Sequence, residues 1–427
     1  MRVRLHTLGC RLNEAETETW AAQFRRRGFA IAGRDELAEL VVVNTCAVTG
    51  EAVRKSRNLL RRARRHHPGA KLIVSGCYAS LEAETIAAAT GVDLLVTNRD
   101  KDHLVGIAIE RLRLEARAAQ VSDQDAAPLF GRGRQRAFVK VQDGCRHRCT
   151  FCIVSRARGP ERSRPLAEVV DEVDRLSGGG VQEVVLTGVH LGGYGRDLGL
   201  DLAGLLRALL DRTRMERIRL GALEPWDLPN GLWELLREPR LMPHLHLPLQ
   251  SGSDAVLRRM GRRASSAHFA RLAAKGRDAV PDLNLGTDII VGFPGETEHD
   301  WAETLAFVEA MAFGQVHVFS YSPRPGTPAA GLPDQVPAPV KRERVRQLGE
   351  LAGRLRRRTL ERFIGRRMPV LVEGADPVAG QAERFGYTSN YLPVCVTEAP
   401  DWVGRQRIVD VSLTGIRHHG EALTGRP

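Results

Sequence analysis

Short apolar runs alternate with longer helical patterns through the amino-terminal part of the chain. The runs are RVRLHTLG, LVVVNT, KLIVSG and VDLLVT, and each is followed by a segment long enough to form a helix. Alternating strands and helices are typical of a parallel sheet with crossover helices. We therefore predict an α/β domain with an open parallel sheet over residues 1–115.

The periodicity disappears in the next segment. RLRLEARAAQVSDQDAAPLFGRGRQR, which covers residues 111–136, is polar and rich in arginine. Such a change predicts a connection between domains. We place a linker at residues 116–136.

Strand and helix patterns resume after the linker with a different spacing. Six strand–helix units over about 190 residues favour an open partial (β/α)6 barrel over the closed eight-unit form. A charged helical stretch, KRERVRQLGELAGRLRRRTLERF, follows and completes a domain predicted over residues 137–363. The six predicted strands are 138–142, 183–188, 217–223, 244–250, 283–292 and 315–321.

Short strand patterns separated by turns fill the last segment, residues 364–427. They are MPVLVEG, RFGYTSNYLPVCV and QRIVDVSLTGI. This pattern predicts a small β-barrel, a size and composition common among nucleic-acid-binding modules.

Composition narrows the class of protein. A chain of 427 residues with 43% hydrophobic content can bury large cores, which excludes disorder over its whole length. Seven cysteines are too few for a disulfide scaffold, and no apolar run approaches the ~18 residues of a membrane span. With no apolar signal core at the amino terminus, we expect a soluble, reduced, cytoplasmic protein.

Positive charge is clustered along the chain. The net charge is +12, and seven basic residues fall between Arg54 and Arg65, with a second basic stretch over 341–367. Guanidinium groups suit phosphate backbones, because each neutralised phosphate releases counterions. The clusters favour a polyanionic partner over a purely compositional excess of arginine.

Three cysteines lie close together after the first strand of the second domain. Cys145, Cys149 and Cys152 form C-x3-C-x2-C, and three thiolates at this spacing can converge on one metal or cluster. Zinc would need a fourth ligand, for which His147 is a candidate. Three thiolates fit better a 4Fe-4S cluster with one iron left open for a small molecule.

Three further cysteines each follow a predicted parallel strand of the first domain. Cys10 follows RVRLHTLG, Cys46 follows LVVVNT and Cys77 follows KLIVSG. Carboxyl ends of parallel strands meet at one edge of the sheet, where open α/β sheets bind ligands. We therefore predict a second three-cysteine cluster site, with Cys395 as an ordinary buried thiol.

Polar and glycine residues end several strands of the predicted barrel. Gly188 begins a glycine-containing segment after the second strand, Gln250 ends the fourth strand, and Asp288 lies in the fifth. These positions are candidates for contacts with a cofactor at the barrel mouth, and structural roles are the alternative.

The motifs resemble one family. CRHRCTFC resembles the cluster loop of the radical S-adenosylmethionine superfamily, with Phe151 as the aromatic residue before the last cysteine. LGCRLNEAETE, NTCAVTGEAVRKSR and VSGCYAS resemble the extra-cluster domain of the methylthiotransferases, as do TDIIVGFPGETE and LPLQSGSDAVLRRMGR further along. The last segment resembles a TRAM-type RNA-binding domain, so the resemblance covers nearly the whole chain.

The resemblance implies an enzyme that carries two 4Fe-4S clusters and uses S-adenosyl-L-methionine. It assigns one cluster to Cys145, Cys149 and Cys152 and the other to Cys10, Cys46 and Cys77, and it makes Phe151, Gly188, Gln250 and Asp288 candidates for cofactor binding. The implied reaction adds a methylthio group to threonylcarbamoyladenosine beside the anticodon of tRNA. It needs an electron-donor protein or another reductant, and no membrane partner is expected. The oligomeric state is not predicted.

Other functions remain open at this point. The isopentenyladenosine branch and the branch that modifies a ribosomal protein share both cluster sites. A different class is a noncatalytic RNA-binding protein whose cysteines hold zinc or a redox-sensing cluster.

The helix after Cys46 suggests how RNA would reach the first domain. Because it begins only five residues after that cysteine, Arg61, Arg62 and Arg65 are positioned to steer RNA toward the extra cluster.

Overall fold

The computed structural model describes residues 1–33, 36–115, 135–376, 380–397, 408–417 and 420–427. Within these limits the chain forms two compact units. The first contains residues 1–115, 143–162 and 322–330, and the second contains residues 135–142, 163–321 and 331–427. The cysteine loop is thus part of the first unit, while the domain boundaries drawn from the sequence stay a prediction. Of the predicted linker 116–136, residues 116–134 lie outside the described ranges.

A five-stranded parallel sheet forms the centre of the first unit, in the order β2-β1-β3-β4-β5. The four strands predicted from the apolar runs are confirmed, and β3 is buried along its whole length. The two-residue β2 is too short to produce a sequence pattern. The strands are β1 (Arg2–Thr7), β2 (Ala30–Ile31), β3 (Leu40–Thr45), β4 (Lys71–Gly76) and β5 (Leu94–Val96).

Helices connect these strands and cover both faces of the sheet. Apolar residues on opposite faces of β3 pack in two separate clusters, Val41 and Val43 in one and Leu40 and Val42 in the other. The helices are α1 (Arg11–Arg26), α2 (Gly50–His66), α3 (Cys77–Leu81), α4 (Ala83–Thr90) and α5 (Leu104–Leu112).

Six parallel strands form the main part of the second unit. They pair as two three-stranded sheets, β10-β9-β6 and β11-β12-β13, and parallel bridges between Ile218 and Leu241 and between Ala222 and His246 connect the two. The predicted open barrel is confirmed, and no pairing joins β6 to β13 among the described residues. The strands are β6 (Arg136–Lys140), β9 (Glu183–Thr187), β10 (Arg217–Leu220), β11 (His244–His246), β12 (Asn284–Val291) and β13 (Gln315–Ser320), with short β7 (Gln142–Asp143) and β8 (Arg162–Ser163) at the unit boundaries.

Helices cover the outer face of this barrel. Helix α12 begins with a capping box, in which Thr297 Oγ1 accepts from the Asp300 backbone N–H and the Asp300 carboxylate accepts from that of Thr297. The remaining helices are α6 (Val154–Arg158) in the cysteine loop, and α7 (Leu166–Gly178), α8 (Leu202–Arg212), α9 (Leu232–Leu235), α10 (Asp254–Arg259), α11 (Ser266–Ala279), α12 (Glu298–Met311) and α13 (Ala338–Glu361).

The last segment closes into a five-stranded barrel in the order β14-β15-β16-β18-β17. Its core contains Val370, Val394, Val411 and Leu423, all fully buried. The strands are β14 (Arg367–Asp376), β15 (Gly380–Thr388), β16 (Pro393–Val396), β17 (Ile408–Ile416) and β18 (Leu423–Arg426).

This small barrel contacts the amino-terminal ends of the partial-barrel strands. Arg217 Nη2 donates to the Pro369 carbonyl at 2.9 Å, and Asn284 Nδ2 donates to the Asn390 carbonyl at 2.9 Å. The contacts leave the carboxyl ends of the strands, where barrels of this kind place their active sites, clear of the small barrel.

Among the described residues, no helix combines the length and apolar content needed to cross a membrane.

Candidate active site

The first three-cysteine set lies at the carboxyl ends of adjacent strands. Cys10 follows β1 and precedes α1, Cys46 follows β3, and Cys77 is the first residue of α3 after β4. Because β1, β3 and β4 are neighbours in the sheet, the three cysteines lie at the same edge of it, and Cys77 and Cys10 contribute to the raised pKa of Cys46. The structure therefore brings the three positions together at one edge of the sheet, and their role as ligands stays a prediction. Cys46 and Cys77 are buried, and Cys10 is at the exposed rim.

Glycines allow the loops that carry these thiols to approach closely. Gly9 has φ of 105°, and a Cβ on it would lie 2.7 Å from Cys46 Sγ. Gly76 has φ of 97°, and a Cβ there would overlap the Thr45 carbonyl. A side chain at either position would force the cysteine loops apart.

The second set lies on one loop of the first unit. The backbone N–H of Cys145 donates to the Gly159 carbonyl at 3.2 Å, and that of Cys152 donates to the Cys149 carbonyl at 3.0 Å. The Cys145 thiol interacts electrostatically with Cys152 and Cys149, so this loop also gathers its three thiols. Val154, the first residue of α6, directs its N–H toward Cys152 Sγ at 3.5 Å.

The chemistry of the donors fits iron–sulfur clusters. Burial raises the pKa of Cys46 to about 11 and that of Cys145 to about 12. A bound cation would supply the positive charge that converts these thiols to thiolates. Thiolates are the soft ligands that iron–sulfur clusters require.

A buried network of four charged side chains lies between the two cysteine sets within the first unit. Arg158 Nη1 contacts Glu16 Oε1 at 2.8 Å and Asp143 Oδ1 at 2.9 Å. Lys101 Nζ contacts the same two carboxylates, at 2.5 Å and 2.6 Å respectively. Two cations and two anions balance, so the network is neutral in itself.

The network also reaches the first cysteine set. Arg158 Nη2 donates to Asn13 Oδ1 at 2.6 Å, and the same oxygen lies 3.8 Å from Cys10 Sγ. Burial alone would lower the pKa of Arg158, but the negative charge of Glu16, Cys77 and Asp143 raises it well above the ordinary value.

Arg158 directly follows the cysteine loop in the sequence, and the structure buries it. Glu16 and Lys101, which belong to the same network, lie far away in the sequence, and neither has a local pattern that would have identified the network. The only available signal was the position of Arg158 directly after the cysteine loop.

Four further residues were predicted to bind the cofactor. One of them lies in the first unit and three lie in the second. Phe151 lies in the cysteine loop of the first unit. Gln250 and Asp288 come together in the second unit, where the Gln250 N–H donates to the Asp288 carbonyl at 2.8 Å. Gly188 packs against Gln142, and a Cβ on it would lie 2.9 Å from Gln142 Oε1. Their contacts with a cofactor stay a prediction.

The structure places the basic residues of α2 on its solvent-facing side. Arg61, Arg62 and Arg65 are exposed, whereas Ser56, Leu60 and Ala63 form the buried face. Ser56 connects this helix to the cysteine set, since its hydroxyl donates to the Cys46 carbonyl at 3.0 Å and accepts from the Cys46 N–H at 3.1 Å.

Two protein families and a solved structure are similar to this chain. Residues 139–308 match the radical SAM superfamily, and residues 2–97 match a family described as "Uncharacterized protein family UPF0004". Among solved structures, the radical S-adenosylmethionine methyltransferase TsrM from Kitasatospora setae is similar with a TM-score of 0.57 and 16% identity, covering 77% of each chain. The second unit thus has the fold of a radical SAM enzyme.

Curated relatives narrow the class. Threonylcarbamoyladenosine tRNA methylthiotransferase MtaB of Bacillus subtilis is 38% identical over 96% of this chain and 93% of its own length. The protein of the same name from Thermotoga maritima is 38% identical over 87% of this chain and 86% of its own length. The tRNA-2-methylthio-N(6)-dimethylallyladenosine synthase of Acidothermus cellulolyticus is 38% identical over 86% of this chain and 77% of its own length. This chain belongs to the radical SAM tRNA methylthiotransferases.

Proposed function

We propose that this protein converts N6-threonylcarbamoyladenosine next to the tRNA anticodon to its 2-methylthio derivative. The observation that carries the proposal is the pair of three-cysteine sets. One set lies at the ends of adjacent parallel strands, and the other lies on a single loop. The likeness to threonylcarbamoyladenosine tRNA methylthiotransferases over nearly the whole chain supports the substrate.

Each cysteine set has a distinct role in this proposal. Cys145, Cys149 and Cys152 would hold the 4Fe-4S cluster that binds S-adenosylmethionine, and Cys10, Cys46 and Cys77 would hold a second cluster. Together these bound groups supply the radical chemistry that activates an unreactive aromatic C–H bond, the inserted sulfur and the methyl group.

The protein itself positions the cysteine thiols and binds the tRNA. The turns at Gly9 and Gly76 fix the thiols of the first set, and the network of Arg158 holds the end of the cysteine loop next to that set. Exposed arginines on α2 and the carboxyl-terminal barrel bind the tRNA backbone. A reductant supplies electrons, and the enzyme works in the cytoplasm without a membrane partner.

A second candidate substrate is isopentenyladenosine in tRNA. It is favoured by the dimethylallyladenosine synthase of Acidothermus cellulolyticus, whose identity of 38% equals that of the threonylcarbamoyladenosine enzymes.

Mass spectrometry of tRNA nucleosides from cells lacking this protein distinguishes the two candidate substrates. We expect methylthiolated threonylcarbamoyladenosine to disappear while methylthiolated isopentenyladenosine stays. The reverse loss would move the protein to the second substrate, and retention of both would contradict the proposal.

A further inference from the structure

Three polar side chains meet on the inner face of the open barrel. Leu245, Ile289 and Val318 pack into the core beneath the helices. Because side chains alternate along a strand, their neighbours His246, Asp288 and His317 point to the opposite, inner face. They lie on the adjacent strands β11, β12 and β13.

The three side chains form one group. His246 Nε2 lies 2.9 Å from Asp288 Oδ1, and Asp288 is paired in register with His317 on the next strand. The ring centroids of His246 and His317 are 5.4 Å apart, and one ligand-type atom from each of the three residues lies within 4.8 Å of the others. Gly286 leaves room for the His246 ring, since a Cβ there would lie 3.0 Å from His246 Nδ1.

This group is open to solvent on the inner face. The side chains of His246 and Asp288 are 16% and 23% exposed, and His317 is exposed. Phe319, two residues further along the same face of β13, is 46% exposed and its ring centroid lies 6.5 Å from that of His317. Polar donors and an acceptor therefore stand beside an exposed aromatic ring, an arrangement that suits a ligand with a flat ring and a charged polar arm.

The two candidate substrates differ in the polar groups that their adenosine substituents carry. The threonylcarbamoyl group carries a carboxylate, a hydroxyl and amide N–H groups, whereas the isopentenyl group is a hydrocarbon. Imidazole N–H groups are donors for a carboxylate, and the Asp288 carboxylate is an acceptor for a hydroxyl or an amide N–H. A hydrocarbon in the same place would cover these polar groups without pairing them, which is costly.

We propose that His246, Asp288 and His317 form the subsite that binds the threonylcarbamoyl arm of the substrate base. His317 donates to its carboxylate, and Asp288, which accepts from His246 Nε2–H, also accepts from the hydroxyl or amide N–H of the arm. This inference rests on the proposed function, and it gives Asp288 a role with substrate in place of the cofactor contact predicted from the sequence. A site that hydrogen-bonds a substrate in this way discriminates strongly against an analogue lacking the polar groups.

The test compares two anticodon stem-loop RNAs, one with threonylcarbamoyladenosine and one with unmodified adenosine at the same position. Binding of each is measured by fluorescence anisotropy on the anaerobically reconstituted full chain, as wild type and as His317→Ala. We expect wild type to prefer the modified RNA, and the ratio of the two affinities to fall by more than about tenfold in His317→Ala. A matched control is His299→Ala, whose side chain is 85% exposed on α12 and whose ratio should equal that of wild type.

Further measurements separate the possible outcomes of this test. Iron content and the thermal unfolding midpoint show whether His317→Ala is folded, and a conservative His317→Gln, which keeps an N–H donor, should recover part of the ratio. An unchanged ratio in folded His317→Ala overturns the subsite, and so does stoichiometric Zn²⁺ uptake that His317→Ala abolishes while the ratio stays unchanged. Failure of the proposed function has a different signature, because wild-type protein would then not methylthiolate the modified RNA at all.

Discussion

Arg158 shows how one side chain joins distant parts of the first unit. It comes immediately after the cysteine loop, yet its partners Glu16 and Asn13 belong to helix α1. Lys101 completes the network from the far end of the amino-terminal domain. Since all four charges are buried, each depends strongly on the opposite charges of the network for compensation.

Removing one charge from this network should destabilise the first unit strongly. We expect Arg158→Met and Lys101→Met each to cost about 3–5 kcal/mol, because each leaves a buried carboxylate uncompensated. The measurement is the urea unfolding midpoint followed by circular dichroism. Arg156→Met is the control, since the Arg156 side chain makes an exposed hydrogen bond to the Gly326 carbonyl, and an equal loss in this variant would contradict the role of the network.

A second buried network predicts a pH effect in the second unit. Burial would raise the pKa of Glu183, but the guanidinium groups of Arg219 and Arg136 lower it to about 2 from the ordinary 4.5. A depressed carboxyl pKa stabilises the folded state above the unfolded-state value and loses that contribution as the pH falls toward the folded-state value. We therefore expect the second unit to lose up to about 3 kcal/mol as the pH falls from 4.5 to 2.

Glu183→Gln tests this expectation. The variant should be less stable than wild type at pH 7 and should show a weaker dependence of its urea midpoint on pH below 4.5. Glu350→Gln, at an exposed position on α13, should keep the wild-type dependence. An identical acid dependence in Glu183→Gln would show that other groups control it.

At the scale of elements, the amphipathic helix α2 connects the first cysteine set to the surface. Its buried face holds Cys46 through Ser56, and its exposed face carries Arg61, Arg62 and Arg65. The same helix therefore contacts a proposed cluster ligand with its buried face and presents positive charge to solvent with its exposed face.

Charge reversal on this face should weaken tRNA binding. We expect the triple variant Arg61→Glu, Arg62→Glu and Arg65→Glu to bind less tightly, with the slope of log affinity against log salt shallower by about 2. Filter binding over a range of salt concentrations measures both quantities. The control reverses Arg207, Arg212 and Arg214, which are exposed on and after α8, and equal effects of the two triple variants would argue against a specific role of α2.

Strands were easier to predict than contacts between elements. An apolar run such as LVVVNT is enough to predict a buried parallel strand. The positions of Cys10, Cys46 and Cys77 directly after such strands then place them at one edge of the sheet. By contrast, the group of His246, Asp288 and His317 depends on the register of three strands. A single residue in a strand pattern does not indicate which residues it will face on the neighbouring strands. This group and the Arg158 network could therefore be found only from the three-dimensional structure.

At the scale of the whole molecule, the first unit carries both cysteine sets and the second carries the open barrel and the small β-barrel. The sequence predicts both cysteine sets because thiols at C-x3-C-x2-C spacing and thiols after parallel strands each have a physical reason to converge. The assignment of the cysteine loop to the first unit comes from contacts that its sequence position after β6 did not indicate.

Iron content should follow the two sets independently. We expect about eight irons per chain in anaerobically purified wild type and about four when either set is changed to alanine. Cys395→Ser should keep the full content, because Cys395 is buried in β16 of the carboxyl-terminal barrel. A colourless, zinc-loaded wild-type protein would favour the noncatalytic alternative.

Conversion of a defined RNA by the purified protein would demonstrate the proposed reaction itself. The reconstituted chain is incubated anaerobically with S-adenosylmethionine, dithionite and an anticodon stem-loop that carries threonylcarbamoyladenosine, and the nucleosides are analysed by mass spectrometry. We predict that a methylthio group replaces the hydrogen at C2, so that the modified base gains the mass of that group less one hydrogen, and that the triple variant of Cys145, Cys149 and Cys152 to alanine gives no product. Unchanged RNA from wild-type protein that holds both clusters would contradict the proposed function.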